Sequence, residues 1–176
     1  MPSIEYRHTV EHADPARVGA IVASSGFFNA EEIEVAVELV VERLAKGEKS
    51  GYYFVFAEMD GRTVGYACFG PISGTLCSFD LYWIAVDNSL RTKGIGGELL
   101  RKAEEAIGAM NGRRIYVETS SRKLYEPTRA FYVRNAYRLE ATLEDFYAPG
   151  DAKLVFEKVL ESPAEYSDTC SRRETP

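Results

Sequence analysis

The chain is poor in the residue types from which metal sites and disulfide frameworks are built. Its 176 residues include only two histidines, both near the N-terminus, and three cysteines without paired spacing. A zinc site needs clustered cysteine and histidine ligands, so the sequence predicts no metal. An odd number of cysteines argues against a disulfide framework and favours a reducing compartment.

Long apolar runs and an excess of basic charge are also missing. Residues 1–8 lack a basic stretch followed by an apolar one, and no run approaches the ~20 apolar residues that span a bilayer. The formal net charge is −6. Since nucleic acids and anionic membranes are bound through basic surfaces, we expect neither as a partner. Together with the cysteine count, these features predict a cytoplasmic protein.

The composition is that of an ordinary globular protein, and strand and helix patterns follow one another along the chain. The length suits one domain, residues 1–160, followed by a polar tail, 161–176, for which we predict disorder. Asp14 and Pro15 predict the cap and first residue of a helix. The order β-α-α-β-β-β-α-β-α-β-β predicts an α/β (α+β) fold, a mixed, mostly antiparallel central sheet with helices on both faces. The predicted strands are residues 4–10, 52–58, 63–69, 77–86, 113–118, 137–147 and 153–160.

One segment has the physical features of a phosphate-binding loop. Residues 91–97, Arg-Thr-Lys-Gly-Ile-Gly-Gly, follow an apolar strand and precede an amphipathic helix. Glycines let backbone N–H groups approach a ligand closely, and the helix N-terminus, Arg91 and Lys93 add positive charge. The P-loop spacing is missing, and Leu99 stands where the dinucleotide fingerprint needs a third glycine. The residues alone leave open both a pyrophosphate site and a plain charged turn.

Two motifs in this context carry a family resemblance. Arg91, Gly94 and Gly96 match the pattern Arg/Gln-x-x-Gly-x-Gly/Ala after the strand of residues 80–86, and residues 131–137 are similar to Phe-Tyr-x-x-x-Gly-Phe/Tyr. With these motifs the chain resembles the GNAT superfamily of acyl-CoA-dependent N-acetyltransferases, over about residues 4–160. Ala136 replaces the usual glycine of the second motif. We expect Asn135 to end the helix there, because asparagine tolerates left-handed backbone conformations.

The resemblance implies acetyl-CoA as co-substrate and indicates the residues that bind it. The pyrophosphate would be held by Arg91, Thr92, Lys93, Gly94, Ile95, Gly96 and Gly97, the pantetheine arm by main-chain groups of Ile84, Ala85 and Val86, and further CoA contacts would come from Thr128 and Arg129.

The resemblance also implies the reaction: direct attack of a primary amine (small amine, amino acid or peptide amine) on acetyl-CoA in a ternary complex. Tyr132 matches the motif's tyrosine and is expected to be the general acid. Asp80 and Glu118 are the candidate bases, because a carboxylate in an apolar cleft can acquire a pKa near neutrality. Each carboxylate is otherwise a strand-end surface charge, and which of them acts stays open. Tyr125 and Tyr147 are candidate acceptor contacts, and relatives of this kind are often homodimers.

Two other functional classes stay open at this point. A non-catalytic acyl-CoA-binding or protein-interaction module on the same fold would need neither Tyr132 nor Asp80. A nucleotide-binding regulatory domain is disfavoured by the missing P-loop lysine and the missing third glycine. Turnover of acetyl-CoA with an amine separates the enzyme from both.

Overall fold

The computed structural model describes residues 3–91 and 93–160, and its helices and strands follow the predicted order. Thr92 and the tail, 161–176, lie outside the described residues, so the expectation of a disordered tail does too. Three short 3-10 helices, at Gly47–Ser50, Asn88–Leu90 and Lys123–Tyr125, were not predicted. The strands are β1 Ile4–Arg7, β2 Tyr53–Met59, β3 Arg62–Pro71, β4 Ser78–Val86, β5 Arg114–Ser120, β6 Arg138–Ala148 and β7 Asp151–Val159, and the helices are α1 Asp14–Ser24, α2 Ala30–Lys46, α3 Ile95–Ala109 and α4 Glu126–Arg134.

The seven strands form one mixed sheet in the order β1-β2-β3-β4-β5-β7-β6. β4 and β5 pair in parallel, with Asp80 opposite Tyr116, as the intervening helix α3 predicts. β1 with β2, β2 with β3, β5 with β7 and β6 with β7 are antiparallel. The predicted fold class, a mostly antiparallel sheet with helices, is therefore confirmed, and the apolar strand β4 is the middle strand.

Within the described residues, the chain divides into two compact units. The first unit comprises residues 3–70 and 81–103, and the second comprises residues 71–80 and 104–160. In the first unit, α1 and α2 pack on the face of β2 and β3 that carries Phe54, Phe56 and Tyr66. Leu99 of α3 lies on the opposite face at Gly65, where an added Cβ would come within 3.1 Å of the leucine side chain.

The beginning of α1 differs from the prediction that Asp14 is its cap. Ala13 is the N-cap, without a side-chain hydrogen bond, and Asp14 lies in the first helical turn. The Asp14 carboxylate accepts hydrogen bonds from Arg7 at 2.8 and 2.9 Å and from the Glu11 N–H at 2.7 Å. Because this carboxylate is fully buried, leaving it unpaired would cost about 3–5 kcal/mol. The ion pair with Arg7 therefore explains why an aspartate stands at position 14 better than helix capping does.

In the second unit, α4 and the end of α3 cover one face of the β5–β7 pair. Tyr132 of α4 lies 6.2 Å from the Phe156 ring of β7, measured between ring centroids. Glu104 of α3 accepts a hydrogen bond from Lys158 of β7 at 2.7 Å. Both β7 residues point to the same side because they are two positions apart on a strand. The first contact packs α4, which carries the motif tyrosine, against β7, and the second ties α3 to the same face of β7.

The opposite face of the second unit is built around Glu157 of β7. This residue is 1% exposed, and its carboxylate accepts hydrogen bonds from Arg114 of β5 and, at 2.9 Å, from Arg138 of β6. The Tyr116 hydroxyl lies 3.2 Å from the same carboxylate. Ion pairs and hydrogen bonds lower the pKa of Glu157 although burial opposes this. The cluster therefore joins three neighbouring strands on this face.

Two further observations concern a cysteine and the helices. Cys68 is a free, buried thiol. Among the helices of the described residues, none combines the length and the apolar character that a membrane span requires.

Candidate active site

The glycine-rich turn joins the end of β4 to the first turn of α3, as the sequence predicts. Gly94 has a φ of 80°, and a Cβ added there would meet nothing within 4 Å. Backbone conformation, rather than space, therefore requires glycine at this position. The Glu98 N–H donates to the Gly94 carbonyl at 3.1 Å and closes the first helical turn. Ile95 is buried beneath the turn, while Lys93 and Gly94 are exposed.

The start of this turn is held by contacts within the first unit. The Arg91 guanidinium lies over the Phe27 ring, 4.7 Å from its centroid, which orients a charge that would otherwise move freely. The Asn88 N–H donates to Ser24 Oγ at the end of α1, at 3.2 Å. The exposed turn thus has a fixed start and two basic side chains, Arg91 and Lys93, next to a helix N-terminus.

The last residues of β4, Ile84, Ala85 and Val86, are partly buried. Gly65 of β3 lies beside them. A Cβ added at Gly65 would lie 3.1 Å from the Ala85 carbonyl oxygen. The absence of a side chain at Gly65 therefore permits the close approach of the two strands.

Tyr132 lies in an aromatic cluster of the second unit. Its side chain is 4% exposed, and the rings of Phe131 and Tyr137 lie 5.5 and 5.6 Å away between centroids. Burial raises the pKa of Tyr132 above its ordinary value. The hydroxyl consequently stays protonated throughout the neutral pH range.

The end of α4 corrects the expectation about Asn135. Asn135 does end the helix, but its φ is −97°, and Ala136 instead adopts the left-handed conformation with a φ of 66°. The Ala136 N–H donates to the Val133 carbonyl and the Tyr137 N–H to the Tyr132 carbonyl, at 3.1 and 3.0 Å. These two bonds define a Schellman motif with alanine at the position that usually carries glycine.

Replacing Ala136 with glycine is expected to stabilise the protein by about 1 kcal/mol, because a left-handed alanine is strained and glycine is not. The measurement is urea unfolding, with a higher midpoint and an unchanged slope. The matched control is Ala130→Gly in the same helix, which should lower stability by about 1 kcal/mol. A lower midpoint for Ala136→Gly would show that the alanine is unstrained.

Asp80 and Glu118 lie on the same face of neighbouring strands. Asp80 pairs with Tyr116, and Glu118 is the next β5 residue on that face. Burial and the nearby Glu118 carboxylate raise the pKa of Asp80 to about 6, and Lys153 partly offsets this rise. Glu118 was expected to end its strand, but β5 continues to Ser120. The Glu118 side chain is 50% exposed and accepts from Lys153 Nζ at 2.7 Å.

The remaining candidate CoA and acceptor contacts differ in their burial and in the hydrogen bonds that they already make. Arg129 donates to the carbonyls of Ser120 and Arg122, both at 2.9 Å, and so ties α4 to the segment after β5. Tyr125 is 9% exposed, whereas Tyr147 of β6 is 49% exposed and lies edge-on to Phe146. Thr128 is partly buried in the first turns of α4. Tyr147 is therefore the more accessible of the two tyrosines.

Lys153 lies beside the two candidate bases and was not predicted from the sequence. No local motif surrounds it, and its position beside the carboxylates depends on the register of β5 with β7. In the part of the chain that the structure describes, no group of three or more His, Cys, Asp or Glu side chains is arranged to hold a metal ion.

The comparisons with known proteins agree with this architecture. Residues 21–137 match the model of the acetyltransferase (GNAT) family. A protein assigned to the acetyltransferases of the GNAT family, from Desulfovibrio desulfuricans, is 41% identical with a TM-score of 0.88, covering 89% of this chain and 99% of that chain. No curated protein matches the chain.

More distant solved structures share the fold. The ribosomal-protein-S18-alanine N-acetyltransferase from Escherichia coli is 16% identical with a TM-score of 0.73, covering 93% of this chain and 98% of its own. An N-acetyltransferase from Thermoplasma acidophilum in complex with coenzyme A is 19% identical with a TM-score of 0.70, covering 90% of this chain and 99% of that chain. The chain belongs to the GNAT family of acetyltransferases. It is accordingly an enzyme, an N-acetyltransferase with acetyl-CoA as its co-substrate.

Proposed function

We propose that the protein transfers an acetyl group from acetyl-CoA to a primary amine, which attacks directly in a ternary complex. The observation that carries this proposal is the Asp80 carboxyl, whose pKa of about 6 lets it accept a proton from an ammonium group near neutral pH and release it again. The attacking amine must be neutral, and a carboxylate that exchanges its proton near neutral pH is suited to the role of the base. A protein that only binds acyl-CoA would not need such a base.

The co-substrate is proposed to bind at the glycine-rich turn. The left-handed Gly94 and the open space where its Cβ would lie suit a backbone that approaches a pyrophosphate closely, and the N-terminus of α3 adds a favourable dipole. Arg91, Lys93, Ile95, Gly96 and Gly97 would surround the phosphates, and Thr92 is proposed with them. The main chain of Ile84, Ala85 and Val86 would hold the pantetheine arm, as an added strand edge does.

Tyr132 is the proposed general acid. It keeps its proton because burial raises its pKa, and a hydroxyl donor lowers the cost of expelling the CoA thiolate. Thr128 remains a proposed CoA contact. Arg129 is a weaker candidate, since its guanidinium already donates to two backbone carbonyls.

The acceptor is proposed to be cationic before it reacts. Asp80 and Glu118 provide two carboxylates against the single ammonium of Lys153, so an arriving ammonium group finds an excess of negative charge. Tyr147 is a proposed contact on the exposed strand β6, and the buried Tyr125 is a less accessible one. The distant structural relatives include the ribosomal-protein-S18-alanine N-acetyltransferase named above and an aminoglycoside 6′-N-acetyltransferase, which is 17% identical with a TM-score of 0.71. Alanine and aminoglycosides both carry amino groups.

The proposal is tested by thiol release from acetyl-CoA over a panel of polyamines, aminoglycosides, amino acids and peptide amines, with the acetylated product identified by mass. We expect amine-dependent release for at least one class. The matched control is the same panel with the Asp80→Asn variant. Binding of CoA without turnover on every class would instead support a non-catalytic module, and binding of ATP without binding of CoA would exclude the acetyl-CoA site.

A further inference from the structure

Lys153 of β7 is held between two groups that both recognise a cation. Its Nζ lies 2.7 Å from the Glu118 carboxylate and 3.9 Å from the centroid of the Phe146 ring. The lysine side chain is only 15% exposed. An ammonium fixed by a carboxylate and an aromatic face has few alternative positions. The positive charge of Lys153 therefore has a fixed position on the sheet.

That place is the face that carries the candidate base. Asp80 lies opposite Tyr116, Glu118 opposite Val155, and Lys153 opposite Ser120. Alternate residues of a strand share a face, so the side chains of Asp80, Glu118 and Lys153 all project to the same side.

The charged and titratable groups on this face of the second unit sort into three sets. Asp151, two positions before Lys153 on β7, pairs with Arg122 at 3.2 Å, and Glu140 pairs with Arg138 beside the Glu157 cluster. Arg114, Arg138 and Tyr116 are engaged with Glu157. Glu118 and Lys153 act on Asp80, since the first raises and the second lowers its pKa. Lys153 is thus the cation through which the electrostatic balance at Asp80 can be changed without disturbing the Glu157 cluster.

We propose that Lys153 is a positioning residue for acetyl transfer: its ammonium fixes the Glu118 side chain and counterbalances the two carboxylates, so that Asp80 is ionised when the acceptor arrives. The proposal rests on the proposed function, in which Asp80 takes the proton of the amine. It predicts a specific pH signature. Without the Lys153 charge, Asp80 holds its proton to higher pH, and the enzyme loses activity near neutrality but regains it in alkali.

The first test measures Asp80 directly and does not depend on turnover. The carboxyl carbon of Asp80 is followed by NMR through a pH titration of the full chain, with its signal assigned by its loss in Asp80→Asn. In Lys153→Met the pKa of Asp80 is expected to rise by roughly half a unit or more, and in Lys153→Arg it should return close to the wild-type value. Lys153→Gln is a second neutral variant for the case that the methionine variant does not fold.

The second test is the pH dependence of kcat/KM. If the pKa rises from about 6 by one unit, the ionised fraction of Asp80 falls roughly threefold at pH 6.5 and hardly at all at pH 8.5. Lys153→Met should therefore lose activity at pH 6.5 and recover at pH 8.5. The matched control is Lys158→Met, which breaks an ion pair of the same length with Glu104 on the opposite face of the same strand and should leave the profile unchanged.

The outcomes separate this proposal from the proposed function. An unchanged Asp80 titration in both neutral variants overturns the role of Lys153, whether or not the enzyme turns over. A shifted titration in a protein that acetylates no amine would support the coupling and reject the proposed reaction. Equal losses of kcat/KM at pH 6.5 and 8.5, with no shift of the Asp80 pKa, would reduce Lys153 to a structural ion pair.

Discussion

Replacing Tyr132 with phenylalanine is expected to lower kcat by about 10²-fold while the KM for acetyl-CoA changes by less than about threefold. The substitution keeps the ring that packs against Phe131, Tyr137 and Phe156 and removes only the hydroxyl. Because that hydroxyl is protonated throughout the working range, its loss should reduce turnover at every pH rather than shift the profile. Steady-state kinetics at saturating amine give both constants.

The control for this experiment is Tyr137→Phe. Tyr137 lies in the same aromatic cluster and is 2% exposed, and its hydroxyl interacts with the Glu104 carboxylate of α3. Removing it changes the local packing as little as Tyr132→Phe does, yet no chemistry is assigned to it. We expect kcat within about twofold of the wild type. Comparable kinetics for the wild type and Tyr132→Phe would remove Tyr132 from the mechanism.

The parts of the fold that the sequence predicts are those with a local physical signal. Strand order and helix order follow from periodicity, and the turn at Gly94 follows from glycines placed between an apolar strand and an amphipathic helix. The parallel pairing of β4 with β5 follows from the helix between them. The family resemblance, carried by two short motifs, is confirmed by the match over residues 21–137.

The features that were missed depend on side-chain pairing or backbone geometry that no sequence pattern indicated. Asp14 looks like a helix cap, but Arg7, seven residues earlier at the end of β1, binds its carboxylate instead. Ala136, not Asn135, takes the left-handed conformation, because the Schellman motif requires it one residue after the cap. Lys153 reaches Glu118 only through the β5–β7 register. The homodimer, the cytoplasmic location and the individual site residues stay predictions.

The substitution Asp80→Asn is expected to lower kcat/KM by about 10²-fold and to remove the acidic limb of its pH profile. The direction of this pH dependence follows from the Asp80 pKa of about 6. Below that pH the carboxyl is protonated and cannot accept a proton from the amine, so activity of the wild type falls as pH decreases. An amide accepts no proton at any pH, so the residual activity of the variant should not follow this titration.

Loss of folding is distinguished from loss of the base by thermal unfolding at pH 8. The pKa of Asp80 is raised above its ordinary value of 3.8, which means that the charged form is less favourable in the folded chain than in the unfolded chain. This group therefore favours the folded state at low pH and loses that contribution as pH rises through about 6. Asp80→Asn should consequently melt at or above the wild-type temperature at pH 8. A variant that is equally stable but keeps the wild-type acidic limb would exclude Asp80 as the base and leave Glu118 as the remaining candidate.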